Sequence, residues 1–385
     1  MIRKLKMGMI GGGKNAFIGA VHRIAANIDG LVELHCGAFS SNSAVSKESG
    51  KDLFLNEEKC YNSYEEMIVA ESKLPLLERM DFVTIVTPNF AHFKPAMMAL
   101  DHGFHVVIDK PITLSLDEAK QLQQKVQETG LLLCLTHTYS GYPMVKQARK
   151  MVSDDKLGNI RKIMVEYNQG WLSSSFESEG NKQALWRTDP ALSGISGCMG
   201  DIGTHAAQLA EYISGLKITQ LCADINIVVD GRQLDDDGNV LLKFDNGANG
   251  ILVATQIAAG EENNLNIKIY GEKGGLEWHQ MEPNSLIIKW TDAPMQIYRT
   301  GNDYLSDEAK ANSRIPSGHP EGYLEAFANI YRNFALTLSA LLEGNEPSAT
   351  MLDFPTVKDG VRGMAFIESV IASGQSDQKW FDFKI

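Results

Sequence analysis

Short apolar runs alternate with amphipathic segments over the first 135 residues of the chain. The runs predict strands at Lys6–Ile10, Leu31–Phe39, Asp81–Val86, Gly103–Ile108 and Leu131–Leu135. Apolar positions at helical spacing predict helices at Ala16–Ile28, from Tyr64–Ala70 onward, at Pro95–Asp101 and at Asp117–Gly130. Because apolar strands separated by helices are typical of βαβ units, the pattern predicts a parallel, doubly wound sheet covered on both faces.

The rhythm changes from about Ile160 onward. Strand-like segments then follow one another at 160–169, 219–229, 239–245, 250–258, 264–270, 274–279 and 285–291. Turn sequences such as Asp245-Asn246-Gly247 favour antiparallel pairing, and helical pattern returns at 322–343 and at about 356–372. The chain is therefore predicted to be an α/β protein of two domains, 1–135 and 136–385. The linker is expected at 136–150, and the C-terminal helices could pack back on the first domain.

The balance of charge excludes some partners. The 48 Asp and Glu residues outnumber the 36 Lys and Arg residues, which gives a formal net charge of −12. Such a chain, without a basic block, is a poor ligand for nucleic acid or for an anionic membrane. Five widely spaced cysteines without a Cys-x-x-Cys pair argue against a disulfide framework and a cysteine zinc site. No apolar run reaches about 18 residues, so we expect a soluble, cytoplasmic protein.

Gly11, Gly12 and Gly13 stand between the first predicted strand and the first predicted helix. Small residues at this place let backbone amides approach a pyrophosphate, so the turn predicts a dinucleotide site. The third glycine of G-x-G-x-x-G would fall at Ala16, but the next glycine is Gly19. The turn is therefore expected to be about three residues longer than that pattern. A tight turn that serves only packing is the alternative.

The end of the second predicted strand bears on the choice of cofactor. Ser40, Ser41 and Asn42 stand there without an acid, and Lys47 follows. A carboxylate would favour NAD by binding the ribose 2′-hydroxyl, whereas serine and asparagine bond either a hydroxyl or a phosphate. The sequence therefore predicts NAD or NADP and does not decide between them.

Polar residues follow the next two predicted strands. Thr87-Pro88-Asn89, with His92, follows the third strand, and Asp109-Lys110-Pro111 follows the fourth. Ligands of open α/β sheets lie at the carboxyl ends of strands, so both segments are predicted to lie near the cofactor. Lys110, fixed before a proline, is predicted to be functional, with a solvated surface charge as the alternative.

A glycine-rich segment ends where a helix is expected to begin, at Asp201 and His205. Residues four apart share one helix face, so His205 could take a substrate proton while Asp201 orients its ring. A pair of metal ligands, or a capping Asp with a core His, are the alternatives. No third ligand stands at a telling spacing, so no metal is predicted. The run 235–237 of three aspartates is interpreted as a solvated hairpin loop rather than a calcium site.

In this order the motifs resemble those of the glucose–fructose oxidoreductase / inositol dehydrogenase / rhizopine-catabolism (Gfo/Idh/MocA) family, over essentially the whole chain. The resemblance rests on the glycine turn with Gly19 and His22, Thr87-Pro88-Asn89 with His92, Asp109-Lys110-Pro111, the segment into Asp201 and His205, the turn at 271–276, and the helix with Asp359-Gly360. The family usually has Glu-Lys-Pro where this chain has Asp109-Lys110-Pro111.

The resemblance implies a Rossmann domain followed by an α/β domain with a large, mostly antiparallel open sheet, often used for homodimer or homotetramer contacts. It implies NAD(P)-dependent hydride transfer at a secondary alcohol of a sugar, polyol or related carbohydrate. Lys110 would bond the reacting hydroxyl and the nicotinamide ribose, and His205 would be the acid/base. Asp201 would bind substrate and position His205. Trp186 and Arg187 resemble a segment that in some members lies beside the nicotinamide.

Aromatic side chains are expected to wall the substrate pocket, because their faces stack on the apolar side of sugars. The candidates are His137, Tyr139 and Trp171, with core packing as the alternative for each. Two other functions stay open. A redox-assisted glycoside hydrolase or lyase would retain its nicotinamide and form no net NADH. A non-catalytic NAD(P)-sensing protein would need the glycine turn but no set of proton-transfer residues.

Overall fold

The computed structural model describes residues 3–14 and 16–385. These residues form two compact units. Unit 1 comprises the described residues up to Thr138 together with Tyr323–Val361, and unit 2 comprises Tyr139–Gly322 together with Arg362–Ile385. The chain therefore leaves unit 1 after Thr138, returns to it at Tyr323 and leaves it again after Val361. The domain limits of 1–135 and 136–385 stay a prediction from the sequence.

Unit 1 is built on a five-stranded parallel sheet with the order β2-β1-β3-β4-β5. Its strands are β1 (Leu5–Gly11), β2 (Val32–Ala38), β3 (Phe82–Val86), β4 (His105–Ile108) and β5 (Leu133–Leu135). The strand order reverses at β1, which pairs with β2 on one side and with β3 on the other. Ligands of such sheets bind beyond the carboxyl ends of the strands at this switch point. The predicted parallel, doubly wound sheet is confirmed.

Unit 2 contains a nine-stranded sheet with the order β13-β12-β11-β10-β6-β9-β8-β7-β14. Its strands are β6 (Ile160–Asn168), β7 (Ile218–Asn226), β8 (Asp237–Phe244), β9 (Asn249–Thr255), β10 (Asn264–Gly271), β11 (Gly274–His279), β12 (Ser285–Trp290), β13 (Gln296–Arg299) and β14 (Phe381–Asp382). Among these strands β6 and β9 pair in parallel and the other pairs are antiparallel. The mostly antiparallel sheet is confirmed. The sequence pattern missed β13 and β14, which are short edge strands with little buried surface.

The α-helices are α1 (Phe17–Asn27), α2 (Ser43–Asp52), α3 (Tyr64–Ser72), α4 (Phe93–Asp101), α5 (Leu116–Thr129), α6 (Pro143–Ser153), α7 (Lys182–Arg187), α8 (Pro190–Ser193), α9 (Thr204–Ser214), α10 (Asp307–Ala311), α11 (Tyr323–Leu342) and α12 (Val357–Gly374). The units divide between Thr138 and Tyr139, inside the expected linker 136–150, but part of that segment is helical because Pro143 opens α6, where its fixed φ suits the first helical turn. Among the described helices, none is long and apolar enough to cross a membrane.

The core of unit 1 joins its sheet to α11. Phe327, Tyr331 and Phe334 of α11 are fully buried in one hydrophobic cluster with β1 and β3. The rings of Phe334 and Phe82 are 5.1 Å apart in an edge-to-face arrangement. Burying a side chain of this size stabilises a fold by roughly 1.5–3 kcal/mol. The apolar face predicted at 322–343 therefore completes unit 1.

Candidate active site

The glycine turn after β1 lies directly against α1. Gly11 and Gly12 have φ angles of +79° and +69°, which L side chains rarely adopt. A Cβ on Gly12 would lie 2.9 Å from the Cα of Gly19, and one on Gly19 would lie 2.3 Å from the Gly12 carbonyl oxygen. Gly19 therefore takes the close-packing part that the third glycine of G-x-G-x-x-G would play. It does so from inside α1 rather than before it.

The N-terminus of α1 offers a cradle for an anion. Ala16 is the N-cap residue that precedes α1, and among the described residues no side chain caps the helix and no acid stands in its first turn. Such a helix end favours negative charge. A cavity of about 390 Å³ lies beside it, lined in part by Gly13, Lys14 and Ser49. A Cβ on Gly13 would lie 2.7 Å from the Ser49 hydroxyl, so the glycine keeps this cradle open. Because the Asp52 carboxylate also lines the cavity, the fit of a pyrophosphate rests on the uncapped helix end and the glycine backbone rather than on the cavity as a whole.

The three polar residues after β2 lie at the start of α2. The Asn42 side-chain oxygen accepts the N–H of Val45 at 3.2 Å and so caps α2. The Asn42 N–H in turn donates to the Ser40 hydroxyl at 3.1 Å. Ser41 and Asn42 are exposed and Ser40 is half-buried. Their predicted contact with the cofactor ribose stays a prediction.

His92 connects the segments that follow β3 and β4. Its Nε2 lies 2.9 Å from the Thr87 carbonyl oxygen, and its Nδ1 lies 2.8 Å from the Pro111 carbonyl oxygen. Burial lowers the pKa of the His92 ring, and the charge of Asp109 opposes this only in part. Both Asn89 and His92 are buried. The predicted polar segments 87–89 and 109–111 therefore lie side by side at the carboxyl edge of the sheet.

The Asp109 carboxylate lies in a polar cluster of unit 1. Its Oδ1 accepts the Thr136 hydroxyl at 2.7 Å and the Lys110 N–H at 3.0 Å. The Nε2 of His22 lies 3.9 Å from its Oδ2. Burial alone would raise the pKa of Asp109, but His22, the Lys110 charge and Thr136 hold it below its ordinary value. Asp109 is therefore a carboxylate next to Lys110 at neutral pH.

His137 also lies within electrostatic reach of Lys110. Burial and the positive charge of Lys110 lower the pKa of His137 to about 3. Its imidazole is therefore neutral at physiological pH. The structure thus brings His137 into the cluster of Asp109 and Lys110, while its predicted contact with substrate stays a prediction.

The other predicted residues lie in unit 2, around a π-helical turn at Met199–Gly203. Asp201 lies in this turn, and His205 lies in α9, which follows at once. The regular helix expected over both residues therefore begins with a π turn, a feature frequent at functional sites. The Oδ2 of Asp201 accepts the side-chain amide of Gln256 at 2.9 Å and the Nε of Arg187 at 3.3 Å.

Buried aspartates hold the segment that leads into the π turn. The Asp235 carboxylate accepts the N–H of Gly197 at 2.8 Å and the N–H of Met199 at 2.7 Å. Asp235 and Asp236 are only 6% and 2% exposed, so the interpretation of this run as a solvated loop is wrong. Burial raises the pKa of Asp235, and the two backbone donors oppose that rise. Asp235 thus orients the turn that carries Asp201.

Two tyrosines frame the ring of His205. The ring centroid of Tyr139 lies 4.9 Å from that of His205 at an interplanar angle of 83°, and that of Tyr167 lies at 6.3 Å. The two tyrosine hydroxyls bond to each other. The Tyr167 hydroxyl donates to the Asn263 oxygen at 2.6 Å, and the Asn263 amide donates to the Tyr139 oxygen at 3.1 Å. Burial raises the pKa of Tyr139, so its hydroxyl keeps its proton.

A chain of amide groups links this tyrosine pair to Asp201. Gln169 donates to the Asn263 oxygen at 2.7 Å. Its own carbonyl oxygen accepts the indole N–H of Trp171 at 3.0 Å and the amide of Gln256 at 3.4 Å. Trp171 therefore belongs to the same cluster as Asp201.

Sequence reasoning missed Tyr167, Gln169, Gln256 and Asn263. Only their positions along the chain could have identified them, because they lie at the ends of β6 and β9 and just before β10. β6 and β9 are paired in parallel, so their carboxyl ends meet at one edge of the sheet.

Trp186 and Arg187 end α7 beside Asp201. The Arg187 guanidinium lies over the Trp186 ring at 4.2 Å and over the Trp171 ring at 5.7 Å from the centroids. Stacking of this kind fixes the orientation of the guanidinium that contacts Asp201. The predicted contact of Trp186 and Arg187 with a nicotinamide stays a prediction.

The fold and the glycine turn define the class of protein. A doubly wound parallel sheet whose first turn packs glycine against a helix is the architecture of dinucleotide-binding proteins. Residues 5–137 match the sequence profile of an oxidoreductase family with an NAD-binding Rossmann fold. Residues 145–277 match the GFO/IDH/MocA C-terminal domain.

Known proteins resemble the chain along its whole length. The uncharacterized oxidoreductase YfiI of Bacillus subtilis (strain 168) is 31% identical over 385 residues, covering 99% of this chain and 98% of that protein. An inositol dehydrogenase homolog from Azotobacter vinelandii, crystallised with NAD+, has a TM-score of 0.94 and 32% identity over 100% of this chain and 98% of that chain. Its complex with NADH and myo-inositol has a TM-score of 0.92 and 30% identity, with the same coverage. The chain therefore belongs to the GFO/IDH/MocA family of NAD-binding oxidoreductases.

Proposed function

We propose that the protein is an NAD-dependent dehydrogenase that oxidises a secondary alcohol of a cyclitol or sugar, or reduces the corresponding ketone. The proposal is carried by the surroundings of Asp201 and His205 in unit 2. An acid and a base are set there among hydroxyl and amide groups, with the Arg187 guanidinium paired to Asp201, and such groups suit the many hydroxyls of a carbohydrate. The likeness to a protein crystallised with NADH and myo-inositol makes a cyclitol the first substrate to test.

Each residue has a defined part in the proposed reaction. The glycine turn 11–13 and the N-terminus of α1 hold the cofactor pyrophosphate. Bound NAD+ supplies a hydride acceptor. The imidazole of His205 takes the proton of the reacting hydroxyl, and Asp201 binds substrate and orients His205. Lys110 donates a hydrogen bond to the reacting hydroxyl and to the nicotinamide ribose.

The first experiment measures binding and turnover separately. The purified protein is titrated with NADH and with NADPH, followed by energy transfer from protein to nicotinamide fluorescence. Formation of NADH at 340 nm is then measured with myo-inositol and a panel of sugars and polyols. We expect NADH to bind, and we expect Lys110→Ala and His205→Ala to lose turnover of the best alcohol. His319→Ala, an exposed histidine of unit 2, is the matched control and should behave as the unaltered protein.

Three other outcomes would redirect the assignment. Binding of neither nucleotide would remove the basis for a cofactor at the glycine turn. Binding with cleavage of a glycoside but without net NADH would favour the redox-assisted hydrolase or lyase. Binding without turnover of any alcohol or glycoside would favour an NAD sensor.

A further inference from the structure

His22 is a fully buried polar residue that the proposed reaction does not use. It lies in α1, three residues after Gly19. Its Nε2 has no hydrogen-bond partner among the described atoms, and it points at the Asp109 carboxylate, 3.9 Å away. A polar atom buried without a hydrogen bond destabilises the fold, unless its attraction to a nearby charge offsets the loss of hydration. The group within its reach is the carboxylate that precedes Lys110.

Tyr331 fixes the orientation and the tautomer of His22. Its hydroxyl lies 2.7 Å from the Nδ1 of His22 and 3.2 Å from the Thr84 hydroxyl. Burial raises the pKa of Tyr331, so the phenol keeps a proton that it can donate to Nδ1. A carboxylate can only accept, so the arrangement places the imidazole N–H on Nε2, facing Asp109. The Phe327 ring packs against the imidazole, with the two ring centroids 4.6 Å apart at an interplanar angle of 67°.

We propose that His22 and Tyr331 are positioning residues that keep Asp109 ionised and oriented, so that Asp109 can hold Lys110 in place. The proposal rests on the proposed function of Lys110. Its physical basis is direct, because Asp109 bonds the backbone N–H of Lys110 at 3.0 Å and lies close enough to interact with its charge. Loss of the negative charge of Asp109 would weaken both interactions.

The other titratable groups that face Asp109 do not replace His22. His92 precedes α4, and its pKa is lowered chiefly by burial. His137 follows β5, and burial together with Lys110 lowers its pKa to about 3. Both rings therefore favour the neutral form. Beyond Lys110 and the Thr136 hydroxyl, His22 from α1 and Tyr331 from α11 remain as the groups that can tune the carboxylate.

The first test measures Asp109 itself and needs no turnover. The protein is labelled with aspartate carrying ¹³C at the carboxyl carbon, and the Asp109 signal is assigned by its absence from Asp109→Asn. Titration then compares the unaltered protein with His22→Phe, which removes the N–H, and His22→Gln, which supplies an amide N–H in its place. We expect the Asp109 pKa to rise by at least about one unit in His22→Phe and to return toward its original value in His22→Gln. An unchanged Asp109 titration in His22→Phe would overturn the proposal.

A second variant and a matched control protect the test against misfolding. Tyr331→Phe keeps the aromatic ring but removes the hydroxyl, and it should move the Asp109 pKa in the same direction by a smaller amount. His105→Phe alters another largely buried histidine of unit 1, which accepts the Leu132 N–H and has no contact with Asp109. It should lower the melting temperature without moving the Asp109 signal. If His105→Phe moved that signal as far as His22→Phe, the effect would be general loosening and the proposal would be wrong.

Activity is the second readout. If the protein oxidises an alcohol, the acidic fall of kcat/KM should begin at a higher pH in His22→Phe than in the unaltered protein, displaced by the same amount as the Asp109 titration. Asp109→Asn should be weakly active without this additional pH dependence. If the protein oxidises no alcohol, the proposed function fails, but the Asp109 titration still tests the role of His22. Failure of one proposal can therefore be distinguished from failure of the other. An identical pH profile for His22→Phe and the unaltered protein would refute the link to Lys110.

Discussion

Replacing Gly19 by alanine tests whether the glycine turn is shaped by its contact with α1. The new Cβ would lie 2.3 Å from the Gly12 carbonyl oxygen and 2.4 Å from the Gly12 Cα, whereas real Cβ atoms stay beyond 3.0 Å. Backbone cannot rotate aside as a side chain can. The turn and the helix must therefore separate by at least about 0.7 Å, an overpacking that costs about 1–3 kcal/mol.

The same displacement should appear in cofactor binding. If the turn takes up the whole shift, a cost of about 1–3 kcal/mol weakens NADH binding by roughly fivefold to 150-fold. The assay is fluorescence titration with NADH, together with the free energy of unfolding in urea. Alanine also favours the helix over glycine by about 1 kcal/mol, which offsets part of the overpacking cost. The net loss of unfolding free energy can therefore be smaller than the overpacking cost alone.

Gly363→Ala is the matched control for this substitution. Gly363 lies in α12, and a Cβ there would meet no atom within 4 Å. We expect it to stabilise the protein by up to about 1 kcal/mol and to leave NADH affinity unchanged. If Gly19→Ala bound NADH as tightly as the unaltered protein and unfolded no more easily, the turn would not depend on this contact and the reasoning would be refuted.

Three more outcomes are expected. Burial would raise the pKa of Glu71, but the His35 ring, whose Nε2 lies 3.5 Å from the carboxylate, and hydrogen bonds from Lys59, Tyr61 and the Met80 N–H bring it from 4.5 to about 2. The resulting stability is present above pH 4.5 and is lost as the pH falls toward 2, so Glu71→Gln should remove roughly 3 kcal/mol of this acid sensitivity in urea unfolding. Equal acid sensitivity in both proteins would contradict it. Gln256→Leu removes the hydrogen bond that the Gln256 amide donates to Asp201, so kcat/KM for the alcohol should fall about tenfold while NADH affinity is unchanged. Loss of NADH affinity would contradict a role of Gln256 through Asp201. Asp235→Asn leaves one of two backbone N–H groups without an acceptor and should cost about 2 kcal/mol of unfolding free energy. Unchanged stability would show that water replaces it.

The parallel sheet of unit 1 was predictable because its strands are buried on both faces. All five residues of Phe82–Val86 are buried. A strand buried on both faces is apolar at nearly every position, so its composition alone predicts its burial. The positions of Thr87 and Lys110 follow from the same logic, because the carboxyl ends of parallel strands share one edge. Local pattern therefore sufficed for the sheet and for the segments that follow its strands.

The partners of those residues could not be predicted in this way. His22 and Tyr331 are 309 residues apart in sequence, and no local pattern pairs them. The run at 235–237 has the composition of a surface loop, but Asp235 is buried because it meets backbone amides 36 and 38 residues earlier. A carboxylate buried by distant N–H groups has no signature in the residues next to it. Contacts between distant segments are what the structure adds to the sequence.

The return of the chain to unit 1 sets the order in which the protein can mature. The first 138 residues leave the ribosome without the helix that covers Met7, Met9 and Phe82, because α11 and the residues up to Val361 are translated only after the first long segment of unit 2. Until then the nascent chain carries an uncovered apolar groove, a state prone to aggregation and to capture by chaperones. A fragment cut at Thr138 would keep that groove permanently. Any transplant of the nucleotide-binding half into another protein must therefore carry residues 323–361 with it.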